Sequence, residues 1–519
     1  MKTNITHFFY MAALVLLTAC SQDDETSTAT PPQNNGKPLT FTITDGGFST
    51  GGNSGTRAVE EDNKTNFTAG DACGLYIVRN GKVRSANVKL TATQSGESIV
   101  WTTMNEEVTG ETTDSYYMYY PYQEDMTDKV SVTDGADDKA FFENLISGWE
   151  VKADQSEYAN YTASDLMTAQ GVPTESDGTI ALTFSTVHRM ALAVIEMPKI
   201  TYHFTNTSPE ISDYIIPNPE TVTVTFSETT KPWQVEEGIY IYRYIINPDK
   251  ASAITGNYTS DATTKKVTRN FTILSEKLKA VTAGKGKKFK IDGGIREISH
   301  NLQVGDYLCK DGTLISKETT LTDDQKKTVV AIVFYAGHND NDETDYEPTE
   351  IRQKKCHGYA VALKNADNKG FNTFIWGKTG EIGCYVNDNY SKPENDWNGY
   401  KYFFKFLQAA SNGLEKDYPA AYNATNYNNT VSSPITCTCW FLPSIGQLKT
   451  ICVNRKEIFK NLGSNNWSSV LYWSSSECYN SPTNEALLYY GSGDDNNASY
   501  MTTDLKNSKN YKVRSILAF

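Results

Sequence analysis

The 519-residue chain is poor in the groups that most catalytic and nucleic-acid chemistry needs. Its six histidines are scattered, without the spacing that metal ligation requires. Basic residues are outnumbered, with 48 Lys and Arg against 62 Asp and Glu and a formal net charge of −14. That balance argues against nucleic acid or an anionic membrane surface as partner. Beyond the first twenty residues no apolar run is long enough to span a bilayer. HExxH, a Walker loop and GxGxxG are all missing, so none of these motifs argues for an enzyme. The acidic pairs Asp23-Asp24, Asp137-Asp138 and Asp494-Asp495 fall in turn-like polar runs. General acid–base work instead needs one carboxyl in an apolar setting. His188, within FSTVHRMALAVI, has no accompanying nucleophile motif and reads as a satisfied core or interface histidine.

Cysteine is scarce over most of the chain. Cys20 and Cys73 stand alone, and the other seven (Cys309, Cys356, Cys384, Cys437, Cys439, Cys452, Cys478) lie in the last two-fifths. An odd cluster fixes no disulfide connectivity. Cys437-Thr438-Cys439 lacks the spacing of a zinc knuckle or a redox motif. Buried, structural or reduced thiols are the expectation.

What is abundant points to β-structure: 32 Tyr and 35 Gly, with frequent Thr and Val, suit sheet surfaces and turns. Residues 1–19 carry Lys2 and then FFYMAALVLL, too short for a comfortable span, and read as a secretory signal. LTAC resembles a bacterial lipobox, which implies lipidation (palmitate among the acyl groups) at Cys20. The acidic SQDDE after it resembles the export signal of surface lipoproteins. Residues 20–36 are polar and aperiodic, a disordered tether. Then comes LTFTITDGGFSTGGNSGTRA (39–58). Leu39, Phe41 and Ile43 alternate with threonines, the period of a half-buried strand, and a Gly/Ser/Asn run leads to an isolated Arg57. Alternating segments recur to 197 with little helical periodicity. A second all-β stretch spans 198–298, so two β-sandwiches in tandem are expected.

From 299 the texture becomes α+β. VGDYLCKDGTLIS, TVVAIVFYA and HGYAVAL read as strands, KYFFKFLQAASNG and SIGQLKTICVNRKEIFKNLG as helices, and VLYWSSSE and EALLYYGSG as strands again. Trp440 and Trp473 could stack on sugar rings beside Ser474, Ser475, Ser476, Glu477 and Asn480, although packed core is the commoner fate of tryptophan. The loops 387–400, with Trp397 and Asn398, and 490–500, with Asp494, Asp495 and Asn496, mix aromatic, amide and carboxylate groups. That composition suits glycan contact or calcium coordination by oxygens.

Several of these stretches, in this order, resemble the fimbrillin family, the lipoprotein pilins of type V pili. They are FTAGDACGLY, the YYMYYPY block, SDLMTAQG, LTFSTVHRMALAVIEM, YRYIINP and GKGKKFKID, which cover roughly 37–298. WFLPSIGQLKTI, YWSSSE and the final VRSILAF resemble a C-type-lectin-like domain of surface adhesins. Lectin calcium motifs of the EPN or QPD type are absent, with Glu347-Pro348-Thr349 only a partial echo. No cofactor is therefore assigned, and calcium has no recognisable motif. The resemblance implies a mainly β protein: two fimbrillin-type sandwiches (37–197 and 198–298), then an α+β C-type-lectin-like recognition domain (299–519).

The fimbrillin resemblance also implies a mechanism. A protease cuts between Arg57 and Ala58, residues 37–57 leave, and a strand from another pilus subunit fills the groove by β-augmentation. The expected protein is a non-enzymatic fimbrial tip adhesin, exported as an outer-membrane lipoprotein and presented at the cell surface. Its partners would be other pilus subunits and an unidentified host or bacterial surface ligand, with glycan among the candidates. Two rivals remain open: a glycan-binding lipoprotein that never polymerises, and an enzyme of the formylglycine-generating type using Cys437 and Cys439.

Overall fold

The computed structural model describes residues 36–519 except 51–63, 65, 97, 104–106, 134, 207–210, 218–221, 239, 263–264, 461–469 and 492–498. Cys20, Arg57, Ala58, Asp494, Asp495 and Asn496 lie outside the described residues.

The first sheet runs, strand beside strand, Ser98–Thr103, Lys82–Ser95, Ala72–Arg79, Ser115–Tyr120, Met167–Gln170, Thr179–His188, Lys37–Asp45 and Thr109–Gly110, with Val172–Ser176 on the flank of Thr179–His188. Its hairpins follow from turn chemistry. Asn80-Gly81 and Asp177-Gly178 all adopt positive φ, at 50° and 68° and at 51° and 79°, as two-residue turns between twisted strands require. Along Thr179–His188 burial alternates strictly, so Ile180, Leu182, Phe184, Thr186 and His188 all point inward. Ile180, Leu182 and Phe184 meet Leu75, Ile77, Leu90, Trp101 and Met118 in one core.

Three short helices that the alternation did not suggest, Asp138–Phe141, Glu143–Gly148 and Tyr158–Ser164, also belong to this unit. Phe141, Leu145 and Tyr161 seat them against Tyr76 and Tyr117.

Strand pairing moves the first boundary. Ala191–Glu196, expected at the end of the first sandwich, pairs with Ile241–Ile246 and Lys285–Lys290 of the second unit. By pairing, the changeover falls near Arg189-Met190 and not at 197. The second sheet packs one face on the three-stranded sheet Val222–Phe226, Ile254–Ala262, Lys265–Ile273. From its other face Leu192 and Val194, with Ile245, enter the first unit's aromatic core.

A third small sheet, Tyr214–Ile216, Lys199–Phe204, Ile295–His300, joins the second unit to the last. Its Ile200, Tyr202 and Tyr214 share a core with Val330, Trp440 and Phe519. The Tyr214 hydroxyl donates to the Gly312 carbonyl at 2.9 Å, sealing that junction.

The C-terminal unit is α+β. Its five-stranded sheet runs Leu314–Ile315, Tyr307–Cys309, Val329–Ala336, Gly358–Ala362, Ile516–Ala518, and a second sheet holds Val470–Glu477, Glu485–Gly491, Tyr500–Leu505. The anticipated helices form at Gly399–Ala409 and Ile445–Ile458, the latter opened by a Ser444/Gln447 capping box. Three shorter ones, Asp323–Lys326, Leu414–Asp417 and Pro419–Asn426, belong to the same unit. None of the eight described cysteines is in a disulfide, and all but Cys439 are buried.

Candidate functional site

The first strand, Lys37–Asp45, pairs in parallel with Thr179–His188 over seven positions, from Leu39 opposite Ile180 to Asp45 opposite Thr186. On its other edge, among the described residues, Lys37 and Pro38 pair with Gly110 and Thr109, and the Leu39 amide donates to the Val108 carbonyl at 3.0 Å. Ile43 is buried, and Leu39 and Phe41 lie half-buried against the same core. Each such apolar side chain contributes about 1.5–3 kcal/mol when fully buried. The strand therefore fills an apolar trough lined by a backbone ladder, and its absence would expose both.

After Asp45 the chain turns tightly. A Cβ on Gly46 would fall 2.3 Å from the Thr186 carbonyl oxygen, and Gly47 takes φ 73°, so this corner needs glycine. Ser49 and Thr50 then pair in parallel with Lys285 and Gly286 at the edge of the second unit's sheet. The segment 37–50 thus lies across two units.

At the end of the groove the inward register delivers His188, whose side chain is fully buried. Its Nδ1 lies 2.8 Å from Asp165 Oδ2 and its Nε2 lies 2.8 Å from Asp45 Oδ1. The Phe48 ring stacks on the imidazole at 3.7 Å between centroids, 23° from parallel. Burial favours a neutral ring, but the Asp165 and Asp45 carboxylates outweigh it and hold the imidazolium up to about 10. His188 is buried as expected of a core or interface histidine, with Nδ1 hydrogen-bonded to Asp165 and Nε2 at ion-pair distance from Asp45 without hydrogen-bond alignment. Asp45, Phe48 and Asp165 carried no sequence signal beyond their polarity or size, because their meeting depends on a contact 23 residues apart and another across more than 140.

The C-terminal candidates are differently placed. Trp397, Asn398, Trp473 and Glu477, expected at a ligand-facing surface, are 3%, 1%, 0% and 0% exposed, which corrects that expectation. The cause is packing. Trp473 donates from Nε1 to the Phe374 carbonyl at 2.8 Å and meets Tyr511 edge-on at 5.1 Å. Trp397 packs on Tyr335 and Tyr359, with centroids 4.8 and 5.4 Å away. Asn398 accepts from the Glu343 amide at 3.0 Å. Glu477 accepts from the Ile382 and Cys384 amides at 2.9 and 2.8 Å, pinning the long loop that precedes Trp397. Trp440 is likewise buried.

A concave surface lies elsewhere. A cavity of about 380 Å³ opens at the junction of the second and C-terminal units, with Arg269, Arg296 and Lys310 beside Asp292 and Asp311. Among the described residues no group of three or more His, Cys, Asp or Glu could hold a metal ion. No described helix is long and apolar enough to cross a membrane.

No protein-family model matches the chain. It is 28% identical over 475 residues to a Bacteroides ovatus protein provisionally named fimbrium tip subunit Fim1C, covering 83% of this chain and 82% of that protein. Among solved structures, a fimbrial protein of Bacteroides ovatus is similar at 23% identity, covering 94% of this chain and 100% of that one with a TM-score of 0.41. A Bacteroides uniformis protein provisionally described as a cell adhesion protein is similar at 16% identity, covering 52% and 94% with a TM-score of 0.29.

Proposed function

We propose that this chain is a non-enzymatic subunit of a surface fimbria, exported as a lipoprotein, matured at Arg57-Ala58 and seated at the tip as the adhesin. The observation that carries the reading is the first strand. It is inserted in parallel beside Thr179–His188 over seven positions, paired on its other edge among the described residues at Lys37 and Pro38, and continuous with the tether that leads to Arg57. Cleavage at Arg57 would leave that strand without a covalent hold on the unit it completes. The vacated trough would then be filled by a strand from a neighbouring subunit, with main-chain bonds supplying affinity and side-chain pockets specificity.

The tip position is supported by the other end of the fold. Ile516–Ala518 pairs with Gly358–Ala362 and the Phe519 carbonyl accepts from the Gly358 amide, so this strand is engaged within its own sheet. A strand engaged in this way is not free to complete a neighbour's groove, which suits a subunit at the end of a filament. The similarity to a provisionally named tip subunit agrees with that role.

The test is the N-terminal residue of the protein in sheared filaments. Ala58 is expected, and Arg57→Ala is expected to leave lipidated Cys20 and remove the subunit from filaments. Recovery of intact, lipidated chains within filaments would overturn the reading.

A further inference from the structure

The trough that holds the first strand is apolar except at one end, and that end is charged. His188 receives one carboxylate, Asp165, from the body of the unit at 2.8 Å. Its other carboxylate and the cover for its ring face both come from the removable segment, as Asp45 at 2.8 Å and as the stacked Phe48. Asp45 is 4% exposed at its side chain, and its Oδ1 also accepts from the Gly47 amide at 2.9 Å. Phe48 is 6% exposed. Leu39, Phe41 and Ile43 would hold a strand equally well with any small polar residue following them, so hydrophobic filling does not account for this arrangement. A buried imidazole with one of its two carboxylates removed is poorly paired, and an incoming lysine or arginine would face it as a like charge.

We infer that His188 and Asp165 form a recognition subsite at the end of the strand groove, one that takes a side-chain carboxylate and an aromatic ring from whichever strand occupies the groove. The inference rests on the strand-exchange reading and specifies the partner's chemistry. The incoming strand carries three apolar residues at alternate positions, an Asp or Glu two residues after the last of them, and an aromatic residue three further on. The chain's own segment shows that spacing in Leu39, Phe41, Ile43, Asp45 and Phe48. Partners with a neutral or basic residue at the carboxylate position are discriminated against at this end of the groove.

The experiment uses the full exported chain with a specific protease site inserted after Thr50 and then cut, so that the first strand is retained without a covalent link. Labelled peptides spanning residues 37–50 are offered in excess, and their incorporation is followed by fluorescence anisotropy and mass. The native peptide is expected to enter. Asp45→Asn should enter at least about tenfold more weakly and Asp45→Lys about a hundredfold, the size of effect seen when a buried charge pair loses a partner. In a chain carrying His188→Gln, the native and Asp45→Asn peptides should fall within about twofold of one another.

Equal entry of native and Asp45→Asn peptides into the His188 chain would overturn the subsite and leave strand exchange standing. If no peptide enters, strand exchange itself fails. The subsite is then decided by a second measurement, the release of the nicked segment in mild urea. Asp45→Asn should speed that release at least about tenfold, and an unchanged rate would overturn the subsite.

Discussion

Glu477 and Lys506 face each other at 2.5 Å in the C-terminal unit, both with side chains wholly removed from solvent. Lys506 also donates to the Gly380 and Pro482 carbonyls at 2.7 and 2.6 Å and lies 4.6 Å above the Trp376 ring. Together they tie the loop before Trp397 to two of the three strands of that unit's smaller sheet, at the end of Val470–Glu477 and just after Tyr500–Leu505. Lys506→Met should therefore destabilise the C-terminal unit by about 3–5 kcal/mol, because it strands a buried carboxylate. The double change Glu477→Gln with Lys506→Met should recover part of that loss. Urea unfolding followed by tryptophan fluorescence checks both, since Trp376, Trp397, Trp440 and Trp473 all lie buried in that unit.

The first strand gives a second prediction with an internal control. Ile43 is 8% exposed in the core of the first unit, and its neighbour Thr42 faces solvent. Ile43→Ala should cost about 2–4 kcal/mol and hasten loss of the strand after cleavage. Thr42→Ala should change stability by less than about 0.5 kcal/mol. Denaturation midpoints and the release rate of the nicked segment report on the same pair of variants.

Residue periodicity carried much of this fold. Leu39, Phe41 and Ile43 predicted a strand, and Lys37–Asp45 is one; the three- and four-residue spacing in SIGQLKTICVNRKEI predicted the helix Ile445–Ile458. Where it failed, the physical reasons are specific. Ala191–Glu196 is apolar on both faces because both are covered, so its continuous pattern could not say to which unit it belongs. The helices near 138–164 are four to seven residues long, too short for a period to register. For the site, WSSSE looked like a polar, ligand-ready edge. Ser474 and Ser476 instead spend their hydroxyls internally: the Ser474 hydroxyl donates to the Leu487 carbonyl at 2.6 Å and the Ser476 hydroxyl accepts from the Ile445 amide at 2.9 Å, while the Ser475 hydroxyl is buried away from solvent. Composition cannot distinguish hydrogen bonds made to a ligand from those made to the fold.

The junction between the second and C-terminal units should weaken in acid. His357 is 4% exposed, with Nε2 3.0 Å from the Ser212 carbonyl oxygen and its ring beside Tyr214 and Phe204. Burial is the main cause that lowers this imidazole to about 4. The unfolded chain takes up a proton near the ordinary value of about 6.5 while the folded chain resists it. Stability contributed here is therefore present above about 6.5 and lost as pH falls toward about 4. Thermal unfolding across that window should show the loss, and His357→Gln should flatten it.

His188 should produce the opposite slope in the first unit. Its imidazolium is held up to about 10 because Asp165 and Asp45 outweigh the effect of burial. Tyr161 on the adjoining helix interacts with Asp165, and Tyr158 with Asp45, so both flank the same charges. A histidine whose folded pKa lies above its unfolded one stabilises fully below about 6.5, and that contribution is lost as pH rises through about 10. Between those values the decline is at most about 1.4 kcal/mol per pH unit. Raising the pH from 7 to 9.5 should thus lower the urea midpoint of the first unit and speed release of the nicked strand. Asp45→Asn should reduce that sensitivity, because the ring would then keep only Asp165 as its counter-charge. A release rate independent of pH over this range would show that the histidine does not hold the strand through its charge.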